Sequence, residues 1–243
     1  MTARSSRARP HEPQAGFARR LALALIAVLV AAGGGLWWFV LRDDAPPPAA
    51  LGDCAPPGDG TSPPTADGTW TIRPGAADTG FVGYRVDERF GGETLTKTAT
   101  GRTGDIEGSL VVDGATVRDT TVVAQLDTLR SDRTARDSAL RTKGLETSRF
   151  PEARFTLTEP IALAADPSRG ASIDAVATGT LELHGQQRAV RVPIEACWTG
   201  PTIQLSGSAP IVLADFGIDQ IQTPIVDIAD HGELEFELIF TPS

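Results

Sequence analysis

Between Leu21 and Leu41 the chain reads LALALIAVLVAAGGGLWWFVL without a single charge, and beyond about Thr69 it switches, over most of its length, to alternation of apolar and polar residues. These two periods cannot share one core. As a helix, the first run spans about 30 Å at a 1.5 Å rise per residue, which matches the hydrocarbon thickness of a bilayer. Trp37 and Trp38 lie near its end, where amphipathic rings favour the membrane interface. Arg4, Arg7, Arg9, Arg19 and Arg20 precede it, so the basic side is expected to stay inside and the C-terminal part to lie outside.

A cleavable signal peptide is the alternative. Its apolar region normally covers about 7–15 residues and ends in small side chains. This run is longer and ends in bulky ones, and Ala49 and Ala50 sit well beyond it. A lipoprotein reading is weaker, since Cys54 follows Asp53 and a proline-rich stretch separates it from the run. The expected organisation is a basic cytoplasmic tail over 1–20, a single transmembrane anchor over 21–41, a Pro/Gly-rich linker over 42–68 and an extracytoplasmic domain over 69–243. The linker carries no hydrophobic period and is expected to hold the domain clear of the membrane.

Roughly 175 residues follow the linker, enough for one domain with its own core. Setting aside the six arginines and the one glutamate before Asp43, the external part holds 16 Lys and Arg against 30 Asp and Glu, a net charge of −14. That excess argues against nucleic acid and against docking on anionic headgroups. Cys54 and Cys197 both fall in the external part. An oxidising compartment permits a disulfide between them, which would pin the linker to the strand carrying Cys197. Two unpaired thiols are the alternative; the bond is favoured because an exposed extracellular thiol is a liability.

Strands with one buried face account for most of the domain. Val82, Tyr84 and Val86 share a face, as do Ile106, Leu110 and Val112. Val122, Ala124 and Leu126 follow, then Phe155 with Leu157, Leu181 with Leu183, and Val190, Val192 and Ile194. In the last strand Leu234, Phe236, Leu238 and Phe240 alternate with Glu233, Glu235 and Glu237, which read as a solvated face. Turn signals stand at Asp113-Gly114, His184-Gly185 and Thr199-Gly200-Pro201. About eight strands with short loops suggest an antiparallel barrel or sandwich. Gly83, Gly108, Ala124, Ala177 and Gly179 hint at unfilled space inside it. One helix is expected over Ser131–Gly144, capped by Ser131 or Asp132 and ended by Gly144. Asp132–Arg136, Arg133–Asp137 and Asp137–Arg141 are spaced to pair along it.

Catalytic equipment is sparse. Outside the tail only His184 and His231 are present, both in turn contexts. The chain has no HExxH, GxSxG, P-loop or GxGxxG motif. No metal site or cofactor is expected. An acid/base enzyme would need a His beside a nucleophile, an arrangement that scattered residues can still assemble.

The stretches SDRTARDSAL, LETSRFPEARFTLTEPI, GTLELHGQQRAVRVPIEA and SGSAPIVLADFGI, in this order between about Gly68 and Thr241, resemble the YceI-like family of lipid-binding proteins. The Leu-His-Gly turn followed by Arg188, and the Phe-Pro-x-Ala-x-Phe element at Phe150–Phe155, carry the likeness. The resemblance implies an all-β, antiparallel, eight-stranded lipocalin-like barrel with one short helix, holding a long isoprenoid chain such as a polyprenyl lipid or quinone tail. The expected lining is Val82, Tyr84, Val86, Leu110, Val112, Ala124, Leu126, Phe155, Leu157, Leu181, Val192, Phe236 and Leu238. Arg133, Arg136 and Arg141 are candidates for an anionic headgroup, or else only pair with Asp132 and Asp137. An extracytoplasmic scaffold with a side-chain-filled barrel is the competing reading, and a hydrolase the third. A homodimer is compatible with either binding reading.

Overall fold

The computed structural model describes residues 45–55, 65–72, 80–90, 95–223 and 226–243, together with Val30 and Gly34. The chain divides into two compact units, Met1–Asp44 and Ala45–Ser243. The expected anchor lies outside the described residues except for Val30 and Gly34, which are helical. Among the described residues no helix is long and apolar enough to cross a membrane.

The described residues of the second unit form twelve strands: β1 (Gly68–Ile72), β2 (Gly80–Phe90), β3 (Leu95–Thr103), β4 (Ile106–Asp113), β5 (Thr116–Gln125), β6 (Arg130–Ser131), β7 (Glu152–Leu157), β8 (Ile161–Ala162), β9 (Ser172–Leu183), β10 (Gln186–Trp198), β11 (Ile203–Val212) and β12 (Val226–Pro242). Eight of them form a closed antiparallel ring in the order β1-β4-β5-β7-β9-β10-β11-β12, sealed where Trp70 and Thr71 of β1 meet Pro242 and Thr241 of β12. Closure leaves no edge in the ring to recruit another chain. β12 is long enough to pair β1 at its C-terminal end and β2 along the rest, and β2 carries β3 and β6 with it. The expected count of eight strands therefore matches the ring; β2 and β3, of eleven and nine residues, extend the sheet beyond it, and the two-residue β6 and β8 pair β3 and β5.

The expected turns form where Gly, Asp and His permit them. Leu183 pairs with Gln186 across a two-residue loop in which His184 and Gly185 have φ of 51° and 71°. Two successive left-handed residues match the right-handed twist of a hairpin. His231 departs from expectation: it does not precede the last strand but sits inside β12, at an irregularity between Ile228 and Gly232. A Cβ at Gly232 would lie 2.7 Å from the Arg85 carbonyl, so the close strand approach after the bulge requires glycine there.

The single α-helix among the described residues of this unit, α1 (Thr134–Thr142), is shorter than the expected Ser131–Gly144. Arg133 occupies the N-cap without a side-chain cap bond, so neither Ser131 nor Asp132 caps it. Ser131 is used differently: its backbone N–H and hydroxyl donate to Asp137 Oδ1 at 2.9 and 2.6 Å. Gly144 does help end the helix, donating to the Ala139 carbonyl at 3.2 Å.

Trp70, Ile106 and Phe240 are almost fully buried and fill the barrel at the β1–β4–β12 junction. Trp70 also satisfies its indole by donating to the Ala66 carbonyl at 2.8 Å. Burying each such side chain contributes about 1.5–3 kcal/mol.

The proline-rich segment is the largest departure from expectation. Residues 45–55 do not run free; they lie along the outer wall of the barrel. Arg85 Nη2 donates to the Pro46 carbonyl at 2.6 Å and Arg102 Nη2 to that of Pro47 at 2.7 Å. The Ala49 and Ala50 amides donate to Glu235 Oε2 at 3.2 Å and Glu237 Oε1 at 3.1 Å. Cys54 is disulfide-bonded to Cys197 of β10, as the compartment argument favoured. Extended prolines have carbonyls but no donors to satisfy, which suits a strap laid across arginines. Beneath it Glu235, read from alternation as solvated, is 1 % exposed and bridges Arg85 Nε at 3.3 Å and Arg102 Nη2 at 2.9 Å.

Candidate functional site

Apolar residues of the ring, together with β2, α1 and the loops beside them, line a cavity of two chambers. The first, about 150 Å³, is bounded by Val82, Leu110, Val112, Ala124, Phe155, Leu157, Leu181, Val192, Phe236 and Leu238. The second, about 130 Å³, is bounded by Val82, Tyr84, Val86 and Leu126, with Leu129, Leu140, Leu145, Ile211, Leu213 and Ile218. Val82, Ala153 and Leu234 line both and form the waist between them. All thirteen side chains expected to line a cavity thus border one chamber or the other. Sequence reasoning missed the loop residues Leu129, Leu145 and Ile218, because they lie outside strands and carry no period.

The small residues divide. Ala124 and Ala177 border the first chamber. Gly83 borders the second chamber, although its cross-strand partners are Arg102 and Glu235. Ile72 occupies the space above Gly108, where an added Cβ would meet its Cδ1 at 2.9 Å. Above Gly179 the ring of Phe155 does the same at 2.5 Å.

Polar groups gather at one end of the second chamber. Arg136 of α1 clamps Glu88 of β2 in a two-bond fork, Nε to Oε1 at 2.8 Å and Nη2 to Oε2 at 2.9 Å, and also pairs with Asp132. Burial works against the guanidinium charge, but the hydrogen bond and charge of Glu88, with Asp132 behind it, outweigh that and hold Arg136 above its ordinary pKa. Of the three headgroup candidates only Arg136 borders a chamber. Arg133 and Arg141 line neither, and Arg133 Nε lies 3.4 Å from Asp132 Oδ2. The Tyr84 hydroxyl is buried in the second chamber with no hydrogen-bond partner, and burial pushes its pKa well above the ordinary value. Its oxygen has almost no accessible surface and lies against Gly101 of β3, so the donor meets a ligand only when the ring turns toward the cavity.

The histidines are engaged separately. His184 Nδ1 lies 3.1 Å from the Phe216 carbonyl and the ring packs on Phe150. His231 pairs with the neighbouring Asp230, whose carboxyl is held below its usual pKa chiefly by that hydrogen bond. Among the described residues no group of three His, Cys, Asp or Glu side chains could hold a metal ion.

Comparison with known proteins agrees with this architecture. The YceI-like domain matches residues 70–240. A polyisoprenoid-binding domain from Saccharophagus degradans superposes with a TM-score of 0.54 at 14 % identity, covering 73 % of this chain and 99 % of that one. Burkholderia cenocepacia BcnA gives 0.48 at 20 % identity, with 64 % and 95 % covered, and a Campylobacter jejuni YceI protein 0.48 at 17 %, with 59 % and 84 % covered. No curated protein sequence matches the chain. The family match spans well over half of the sequence, and with the closed ring and its apolar lumen it places the chain in the YceI-like family.

Proposed function

We propose that this protein is a lipid-binding protein that sheathes a long isoprenoid chain, for storage or transport, at the outer side of the membrane. The observation that carries the reading is the lumen: two chambers that share Val82, Ala153 and Leu234, the first lined almost wholly by apolar side chains and the second by apolar side chains with a polar group at one end. Each methylene removed from water there contributes about 0.8 kcal/mol, so affinity needs no specific polar partner. The polyisoprenoid-binding neighbour and the family match support the chain type. A dry apolar cavity of about 150 Å³ holds roughly one benzene. A long chain must therefore thread both chambers and spread the side chains at the waist.

The polar end of the second chamber favours a neutral head. Arg136 is already committed to Glu88 and Asp132. An anionic phosphate would find the Arg136 donors already taken, whereas a carbonyl or hydroxyl head can accept a hydrogen bond from the unpartnered Tyr84 hydroxyl. A quinone tail thus fits better than a polyprenyl phosphate.

Residues 21–41 serve in this reading as a retained anchor with the barrel outside the cytoplasm. The arginine-rich flank and the Cys54–Cys197 bond support that address. N-terminal sequencing of native protein is expected to show the run retained; a mature start near Leu51 refutes it.

The functional test pairs composition with stability. Organic extracts of the purified protein should contain an isoprenoid by mass spectrometry. Ala124→Trp, which fills the first chamber, should abolish it while the denaturant midpoint shifts little. In a packed interior the same change costs about 1–3 kcal/mol, so destabilisation, with no lipid in the wild type either, defeats the proposal in favour of a filled barrel.

A further inference from the structure

Four aromatic side chains border the lumen, and three of them lie on glycine. Tyr84 of β2 is the cross-strand partner of Gly101 of β3, and a Cβ added at Gly101 would sit 2.4 Å from Tyr84 Cε1 and 2.9 Å from its Oη. Phe236 of β12 stands opposite Gly207 of β11, where an added Cβ would be 2.7 Å from Phe236 Cζ. Phe155 of β7 reaches diagonally over Gly179 of β9, its Cζ 2.5 Å from the position of a Cβ. The fourth, Trp198, has its indole held by the Gly200 carbonyl.

Glycine inside a strand weakens it and needs a reason. At Gly179 and Gly207 backbone carbonyls also stand within 2.6 Å of the added atom, so the sheet itself asks for glycine there. At Gly101 the three nearest atoms all belong to the Tyr84 side chain, two of its ring and its hydroxyl oxygen. The missing Cβ lets the ring settle against β3, the arrangement by which an aromatic shields a strand glycine. A ring held flat on the wall takes less of the lumen than one standing off it.

We infer that these glycine–aromatic pairs set the bore of the tunnel, with Gly101 as the specificity-determining position of the second chamber, and that the bore selects methyl-branched chains over straight ones. The inference rests on the lipid-binding reading above. Regular methyl branches make an isoprenoid wider than a straight alkyl chain of equal length. A lumen narrowed by a ring pushed off the wall rejects the branched chain first.

The test uses the full chain, with geranylgeraniol and hexadecanol as probes and equilibrium binding as readout. Gly101→Ala should cut the preference for geranylgeraniol over hexadecanol by about tenfold, the scale of one misplaced methyl in an apolar pocket. Adding Tyr84→Leu, which removes the ring that the new methyl meets, should restore the preference. A crystal structure of Gly101→Ala should show Tyr84 swung into the second chamber. An unchanged preference, or a Tyr84 ring that stays in place, overturns the inference. If Gly101→Ala does not fold, the double variant decides: folding with the preference intact supports the ring as the obstacle, and failure to fold overturns it. If the wild type binds neither alcohol while the ring still swings in the variant, the lipid reading fails and the assignment of the bore stands.

Discussion

The two faces of β12 invert the usual relation between chemistry and burial. Leu234, Phe236 and Leu238 point inward, yet they border open space. Glu233, Glu235 and Glu237 point outward, yet Glu235 is 1 % exposed, sealed under the strap by Arg85, Arg102 and the Ala49 amide. The apolar wall has room and the charged wall has none. A period of two states which side chains share a face. What covers each face depends on a segment with no period at all, and on glycines whose role depends on register.

The outer wall should give the largest effects when broken. Cys54 and Cys197 are 143 residues apart, and closing so long a loop stabilises the fold by up to about 5 kcal/mol on chain-entropy grounds. Cys54→Ser with Cys197→Ser should therefore lower the denaturant midpoint more than any other change considered, and leave bound lipid in place. Next comes Glu235→Ala, which strands Arg85 and Arg102 beneath the strap. Leaving a buried partner uncompensated costs about 3–5 kcal/mol, and the partial exposure of both arginines puts this case near the lower bound. Chemical denaturation of the two variants measures both. A Glu235→Ala loss well under about 1 kcal/mol would show the triad to behave as a surface ion pair, and the two walls of β12 to be less unlike than their burial implies.

Much of the barrel was legible because alternation is a direct projection of strand geometry. Every residue expected to line the lumen borders it, from Val82 on β2 to Leu238 on β12. The His184-Gly185 hairpin was legible because two left-handed residues in sequence have few other uses. The illegible parts share a cause: each depends on a partner distant in sequence. Nothing near Pro46 announces Arg85 or Arg102, and nothing near Gly101 announces Tyr84. The headgroup arginines show the same limit in reverse. Helical spacing placed Arg136 beside Asp132, but its stronger partner, Glu88, lies 48 residues away on β2.

The smallest effect belongs to the inner wall and turns on its one unpaired donor. Tyr84 is the only tyrosine, so tyrosinate absorbance reports it alone. Burial raises its folded pKa, while the unfolded chain titrates near the ordinary value of about 10. Above that pH the folded state keeps a proton that the unfolded state has released, so stability is fully present below about pH 10 and falls as pH rises toward the folded pKa. Tyr84→Phe should remove this alkaline slope. At neutral pH the substitution has two signs. In the empty barrel it deletes a buried hydroxyl with no partner and should stabilise by about 1 kcal/mol. In the loaded barrel it deletes the donor to the ligand head and should weaken retention of a quinone but not of a plain isoprenoid hydrocarbon. Melts of delipidated and loaded protein, wild type beside Tyr84→Phe, separate the two. Equal and opposite shifts fit a hydroxyl held for a ligand, while a loss of stability in both forms would mean that Tyr84 is already satisfied within the wall.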